Sequence, residues 1–326
     1  MKTFDYSTLS QPITYKEARA EVKEVPGRYK NAMFVIALLI LIFGFNFLLI
    51  GAVDNLFIIL LPLLFVAGFA AFYYRRFRKE VINLAQVQRF AKANDMITVA
   101  NSGEFTGYPG SLFNDGHSRS IIMSVRTKEP KDMMEVGNYR YVIGSGKNSH
   151  EYFFTYMLIR LDRKVPHIYI DSKGNNSWGN RNHAGDFARS QKFELEGDFN
   201  KYFTVYAPSE YESDALYILT PDVMHSLVTY GQDFDFELID DTLIMFKHGV
   251  VALGESNNLE TLLSKAMEFA EEFRQQTKRY ADDRVANAAA NTVAVKGQRL
   301  KSGFPWVIVF IVAYFLFNII TSILSN

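Results

Sequence analysis

The chain has 326 residues, of which 48% are hydrophobic, and its 35 Lys and Arg residues balance its 35 Asp and Glu residues. The balanced charge is untypical of nucleic-acid-binding proteins, so we expect no nucleic-acid partner. The sequence contains no cysteine, which excludes disulfides, zinc sites with thiolate ligands and iron–sulfur clusters. The mean hydropathy of −0.03 conceals an uneven layout, because apolar residues are concentrated towards the two ends of the chain.

Three apolar runs predict transmembrane helices. Residues 33–53 and 56–74 are separated by a short polar break, and each is about long enough to cross the ~30 Å hydrocarbon core of a bilayer. Residues 32–74 are therefore predicted to form a transmembrane helical hairpin. A third run, residues 304–324, predicts a single C-terminal transmembrane helix.

The basic residues that flank these runs predict the orientation. The second run is followed at once by four of them: Arg75, Arg76, Arg78 and Lys79. By the positive-inside rule, the N-terminal segment 1–31 and residues 80–302 are predicted to be cytoplasmic, with the C-terminus outside. We therefore expect a multi-pass protein of the bacterial inner (plasma) membrane. The lipid bilayer is then an expected partner, and the four basic residues are expected to face anionic lipid.

Residues 80–302 are predicted to fold as one α+β domain, mainly antiparallel sheet flanked by helices. Residues 81–94 repeat apolar side chains at helical spacing, and residues 257–280 carry one apolar stripe opposite a polar face. Segments rich in β-branched and aromatic residues predict strands at 97–100, 120–126, 139–143, 152–161, 167–171, 191–196 and 199–207.

Three further segments have predicted conformations. Residues 171–185 are nearly devoid of apolar side chains and predict a long polar loop. Thr220 followed by Pro221 predicts the start of a helix that extends to about residue 230. Residues 234–247 predict a hairpin that turns at Asp240 and Asp241.

A resemblance to known proteins rests on four stretches: RFAKAND, GNYRYVIGSGKN, LEGDFNKYFTVYAPSEYESDALYILTPDVM and FDFELIDDTLIMF. Through them, residues 83–280 resemble a family of uncharacterised bacterial membrane proteins of actinobacteria and small-genome candidate phyla. They are also similar to a domain of unknown function found in other bacterial membrane proteins. The resemblance implies a membrane location and this architecture, and it implies no activity.

Five residues form the candidate surface for a ligand or partner: Lys147, Trp178, His183, Tyr202 and Tyr206. Lys147 follows Gly146 as in the tail of a phosphate-binding loop, but Tyr141 and Asn148 stand where that motif requires Gly and Ser or Thr. A Gly-rich turn between strands is the simpler interpretation. The two tyrosines belong to a run of aromatic residues that is typical of a groove or of a core rim.

Catalytic signatures of serine hydrolases, kinases, dinucleotide-binding enzymes and helicases are absent from the sequence. The histidines lack metal-ligand spacing, so we expect no metal and no cofactor. The candidate acid–base groups are His183 and five carboxylates: Glu194, Glu196, Asp198, Asp240 and Asp241. A surface histidine, a solvated strand face and a turn are the simpler interpretations of these residues.

These observations favour a membrane-tethered binding or scaffolding module that binds a protein partner or a second copy of the chain. A membrane-proximal enzyme that uses carboxylates and a histidine is the alternative. An oligomeric transporter subunit is a further alternative, but the predicted spans carry no charged residue that would line a pore.

Overall fold

A computed structural model of the chain describes residues 3–22, 56–105, 107–176, 183–195, 197–286 and 291–303, together with Leu38 and Tyr314. These residues belong to two compact units. Unit 1 takes its residues from Met1–Tyr108, Phe113–Arg160 and Ile244–Glu271. Unit 2 takes its residues from Pro109–Leu112, Leu161–Leu243 and Glu272–Asn326.

The described helices are α1 (Ser7–Ser10), α2 (Tyr15–Glu21), α3 (Leu56–Ala93), α4 (Ser111–Asn114), α5 (Phe199–Tyr202), α6 (Glu212–Ile218), α7 (Pro221–Ser226), α8 (Ser256–Thr277) and α9 (Val295–Gln298). The described strands are β1 (Met96–Ala100), β2 (His117–Thr127), β3 (Met134–Ile143), β4 (His150–Ser172), β5 (Lys192–Phe193), β6 (Phe203–Tyr206) and β7 (Asp235–His248).

The strands form one sheet in the order β1-β2-β3-β4-β6-β5, and β7 also pairs with β4. Every pairing whose register is described is antiparallel. The longest such pairing joins β3 to β4, from Met134 opposite Ile159 to Ile143 opposite His150. The prediction of an α+β fold with a mainly antiparallel sheet is therefore confirmed.

The prediction of transmembrane helices is wrong for the part of the chain that the structure describes. No helix there combines the length and the apolar character needed to cross a membrane. The predicted run 56–74 instead begins α3, which continues unbroken through residues 75–80, five of which are charged, and buries Val81 and Phe90. The three-span architecture and the multi-pass assignment lose their support with it. The predicted runs 33–53 and 304–324 lie outside the described residues, apart from Leu38 and Tyr314.

Helix α8 confirms the apolar periodicity predicted from the sequence. The apolar stripe of α8 is buried throughout: Leu259, Leu262, Leu263, Ala266, Phe269, Ala270 and Phe273. In α2 a capping box satisfies the first turn, because the side chain of Thr14 accepts from the N–H of Glu17 and the Glu17 carboxylate accepts from the N–H of Thr14. The helix predicted from Pro221 is also present as α7, which continues into a π-helical turn at Leu227–Gly231.

Two strand predictions are wrong, one because the predicted turn is extended and one because the predicted strand begins as a helix. The predicted hairpin at residues 234–247 is one continuous strand, β7, and Asp240 passes through it with a φ of +54° instead of forming a turn. A polar pair thus interrupts the apolar pattern without ending the strand. The predicted strand 199–207 begins as the helical turn α5, and only Phe203–Tyr206 is extended.

Gly137 in β3 shows how tightly unit 1 is packed. A methyl group at this position would lie 2.6 Å from the Cβ of Ser124 and 2.8 Å from the ring of Tyr156. The Tyr156 ring has little freedom to move, because its hydroxyl donates to Glu135 Oε1 at 2.6 Å in the interior.

We expect Gly137→Ala to lower the free energy of unfolding by about 1–3 kcal/mol, because the added methyl overpacks the sheet. Urea denaturation of the variant measures the change. Gly103→Ala is the control, since a Cβ there meets no atom within 4 Å. Equal midpoints for the two variants would contradict the packing described here.

Candidate functional site

Unit 1 contains a cavity of about 650 Å³ that lies among α3, the sheet and the segment after β7. Its lining includes apolar side chains from the strands, namely Ile122, Met123 and Phe153. The segment after β7 adds Val250 and Val251. Cavities of this size with an apolar lining are typical of small-molecule sites.

A second cavity of about 650 Å³ adjoins the first, because the two share Asn101, Ile122 and Phe153 in their linings. We call the two cavities together the groove. The second part is more polar and contains two arginines that are paired with glutamates. Arg119 lies 3.5 Å from Glu104, and Arg140 lies 2.9 Å from Glu151.

Hydrogen bonds anchor the segment after β7 onto the sheet. The side chain of Asn138 donates to the carbonyl oxygen of Val251 at 2.9 Å, and the N–H of Val251 is shared between Asn138 Oδ1 at 3.2 Å and Thr155 Oγ1 at 3.1 Å. The Thr155 hydroxyl also lies 2.9 Å from the carbonyl oxygen of Gly249. Asn138 and Thr155 are both buried, so these bonds satisfy groups that water does not reach.

Helix α3 holds the same segment from its own side. The side-chain oxygen of Asn83 accepts a hydrogen bond from the N–H of Gly254. A Cβ on Gly254 would lie 2.5 Å from the carbonyl oxygen of Asn83, so only glycine fits this approach. The wall of the groove is therefore held in place by the protein itself, which lowers the ordering cost of binding a ligand.

The predicted lipid-facing cluster lies on α3, where Arg75, Arg76, Arg78 and Lys79 are all exposed. Arg76 and Lys79 line the groove. Arg78 instead lies over the ring of Tyr15, with 5.1 Å between the guanidinium carbon and the ring centroid. The structure thus separates two members of the cluster from the others, which the sequence pattern alone does not do.

The predicted ligand or partner surface is distributed over both units. Lys147 belongs to unit 1 and lies exposed in the 3₁₀ turn Gly146–Asn148 between β3 and β4. Gly144 and Gly146 have positive φ values of +84° and +58° there, as tight turns require. The interpretation as a Gly-rich turn is therefore confirmed.

The other members of that surface belong to unit 2, except Trp178, which lies outside the described residues. His183 is buried, so its interpretation as a surface histidine is wrong. It opens the turn His183–Asp186, which leads into Phe187, and Phe187 packs 5.8 Å from the ring of Tyr206. Tyr202 is 36% exposed. Binding of a protein, a lipid or a second copy at these residues stays a prediction.

The predicted carboxylates do not converge in the described part of the chain. Asp198 pairs with Lys201 on the surface at 2.7 Å, and Asp240 pairs with Arg299 at 2.9 Å. Glu196 lies outside the described residues. Salt bridges of this exposed kind stabilise local structure only weakly.

Unit 2 contains a Ser–Glu–His cluster that the sequence does not predict, in which Glu237 and His167 are buried and Ser111 is half-buried. Glu237 is fully buried and accepts from His167 Nε2 at 2.7 Å and from the Ser111 hydroxyl at 2.8 Å. The N–H of Ser111 also donates to Glu237 Oε2 at 2.8 Å. Burial alone would raise the pKa of Glu237, but the hydrogen bonds from His167 and Ser111 outweigh it and hold the pKa below its usual value.

This cluster has the residue types of a catalytic triad in an order that cannot work as one. A triad requires the histidine between the serine and the acid, whereas Glu237 here lies between Ser111 and His167. The other ring nitrogen of His167, Nδ1, accepts from the N–H of Leu300 at 2.9 Å. Both ring nitrogens are therefore occupied, and His167 cannot serve as a general base for Ser111.

Asp235 in unit 2 is a second buried carboxylate, at the start of β7. It accepts from the N–H of Ser172 at 2.9 Å, from the side chain of Asn175 at 3.1 Å and from the Tyr169 hydroxyl at 3.3 Å. Burial, followed by the nearby charge of Asp171, raises the pKa of Asp235 to about 7. The raised pKa of Asp235 therefore results first from its position in the interior.

Nothing in the sequence marks these buried groups as a set. Ser111, His167 and Glu237 are separated by 56 and 70 residues along the chain. Within unit 2, His167 on β4 and Glu237 on β7 lie on paired strands, and Ser111 is the first residue of α4. One pattern in the sequence could have indicated part of the set. Asp235 and Glu237 alternate with Phe236, so on a strand the two carboxylates lie on the same face, and this strand is buried on both faces.

Comparisons with known proteins place part of the chain beside a family of unknown function. Residues 148–282 match DUF3137, described as "Protein of unknown function". This match covers less than half of the chain and carries no activity. No curated protein matches the chain.

One solved structure is similar to the chain at a low level. It is the crystal structure of the mycobacterial trehalose monomycolate transport factor A, TtfA, with 7% sequence identity and a TM-score of 0.38. The comparison covers 60% of this chain and 94% of that one. A TM-score of this size supports neither a shared fold nor a shared function.

Asp235 should make stability depend on pH. Its pKa is about 7 in the folded protein and 3.8 in its ordinary state, so between those pH values the unfolded chain ionises first and the folded state is progressively destabilised. We expect Asp235→Asn to remove this decline, which corresponds to about 1.4 kcal/mol for each pH unit at most. Urea denaturation between pH 4 and 8 measures it. Asp233→Asn, at an exposed position two residues away, is the control, and parallel pH profiles for the two variants would contradict the assignment.

The His167–Glu237 contact should behave as a buried pair. We expect His167→Leu to lower the free energy of unfolding by about 3 kcal/mol, because it leaves the Glu237 carboxylate buried without the imidazole. The double variant His167→Leu/Glu237→Leu should recover much of this loss, since it removes the carboxylate as well. Urea denaturation of both variants shows which of them has the higher free energy of unfolding. A double variant less stable than the single one would show that the pair is not a unit.

Proposed function

We propose that the chain is a non-catalytic binding module and that its ligand occupies the groove of unit 1. The observation that carries this proposal is the groove itself: two adjoining cavities of about 650 Å³ each, with an apolar floor and a wall held by Asn83, Asn138 and Thr155. A wall that is built before the ligand arrives is typical of small-molecule sites.

The geometry of unit 2 favours binding over catalysis. In the Ser111–Glu237–His167 cluster the glutamate and the histidine are buried and Ser111 is half-buried, and each hydrogen bond described above ends on another group of the protein. An acid–base mechanism requires a group that can reach a proton on a substrate. Unlike this cluster, the groove has side chains with exposed apolar surface, such as Val250, which is 49% exposed.

Filling the groove should weaken binding of a probe whose rings are apolar. The probe is anilinonaphthalene sulfonate, a dye whose fluorescence rises when its rings leave water. We expect Ala252→Trp and Ile122→Trp each to weaken binding of the dye to the whole chain at least about tenfold, because the indole occupies the space of the probe. Fluorescence titration gives the dissociation constants.

Ala93→Trp is the matched control, because Ala93 is exposed at the end of α3 and does not line the groove. It adds the same side chain and should leave the dissociation constant unchanged. Circular dichroism and urea midpoints establish that each variant is folded. Two folded groove variants that bind the dye as well as the control would overturn the proposed site.

A further inference from the structure

Four charged side chains line the first part of the groove: Arg76, Lys79, Glu80 and Glu255. The two carboxylates have interactions of their own. Glu255 immediately precedes α8, where the helix dipole is positive, and it accepts from the side chain of Asn258 at 3.0 Å. Glu80 is also engaged by another group of the chain. Neither carboxylate forms an ion pair with Arg76 or Lys79 in the described part of the chain.

Arg76 and Lys79 differ from the other cations of the groove. They lie three residues apart, on neighbouring positions of one helix face, and both are exposed. Over the described ranges of the chain, neither takes part in a hydrogen bond or an ion pair. Arg119 and Arg140, in contrast, are already paired with Glu104 and Glu151. Among the described cations that line the groove, the two without a partner therefore both lie on α3, in the first cavity.

This charge adjoins apolar surface inside the same cavity. Ile122 and Phe153 are only partly buried, and Val250 is exposed. A ligand that matches both features needs an anionic group for Arg76 and Lys79 and an apolar body for the floor. Guanidinium groups bind carboxylate, sulfonate and phosphate oxygens in a fork, and lysine acts as a point charge beside them.

We propose that the groove binds a small amphiphile with one anionic group, which lies between Arg76 and Lys79, while its apolar body packs on Ile122 and Phe153. The cavity volume suits one molecule of drug size. This inference rests on the proposed function, because it names the ligand class of the same site. In this arrangement the cations of α3 bind the anionic group, and the side chains of the sheet contact the apolar body.

Two dyes with the same rings separate the two contributions. Anilinonaphthalene sulfonate carries the anionic group, and phenylnaphthylamine lacks it. We expect Arg76→Gln/Lys79→Gln to weaken binding of the sulfonate dye roughly tenfold and to change binding of the neutral dye by less than about twofold. The effect on the sulfonate dye should shrink as salt is added, because screening weakens exposed charges.

Arg75→Gln/Arg78→Gln is the matched control, because it removes the same charge from the same helix at positions that do not line the groove. It should leave both dissociation constants unchanged. Equal losses for the two dyes, or an equal loss in the control pair, would overturn the anionic ligand class. The tryptophan variants at Ala252 and Ile122 distinguish this outcome from failure of the proposed function. They weaken binding of both dyes if the groove is the site and of neither dye if it is not.

Discussion

The groove of unit 1 depends on one buried amide, the side chain of Asn138. A buried primary amide has to place both its oxygen and its nitrogen against partners, since each unmade hydrogen bond costs about 1–3 kcal/mol. Asn138 satisfies this requirement with the backbone of Val251, once as donor and once as acceptor. The segment after β7 is consequently fixed in position and in register against the sheet. An apolar residue at 138 would fill the same space but would remove two of the hydrogen bonds that hold the segment, leaving those from Thr155 and Asn83.

Three buried carboxylates show how the interior decides the chemistry of one residue type. Glu135 accepts from the hydroxyls of Tyr108 and Tyr156, and burial is the first cause of the raised pKa of both tyrosines. Glu237 has donors from His167 and Ser111 that outweigh burial and lower its pKa. Asp235 also has three donors, but burial and the neighbouring Asp171 raise its pKa to about 7. The number of hydrogen-bond donors alone therefore does not set the direction of the pKa shift. The direction depends on how the donors compare with burial and with nearby negative charge.

The sequence predicts the elements of this fold better than their limits. The stripe of α8 is a local pattern, and it is confirmed. The prediction of a hairpin at Asp240 is wrong because a pair of aspartates is locally typical of a turn. In the structure, pairing with β4 keeps β7 extended through this pair. The transmembrane prediction fails for a related reason. Hydropathy treats residues 56–74 as a separate segment, whereas in the structure they share one helix with a charged stretch and a packed end.

The sequence singles out Arg76 and Lys79 of the candidate site as members of a basic cluster, but it does not predict the groove that they line. Its residues come from α3, β2, β3, β4 and the segment after β7, which are far apart in the chain. The match to DUF3137 begins at residue 148, so it includes Thr155 and Val251 but neither Asn138 nor the cations of α3. The matched region thus supplies part of the floor and one wall, and the unmatched region supplies the amide anchor and the charge. A protein that shares only the matched region would have counterparts of Phe153 and Val250 but none of Ile122, Arg76 or Lys79, so it would lack part of the apolar floor and both residues proposed to bind the anionic group.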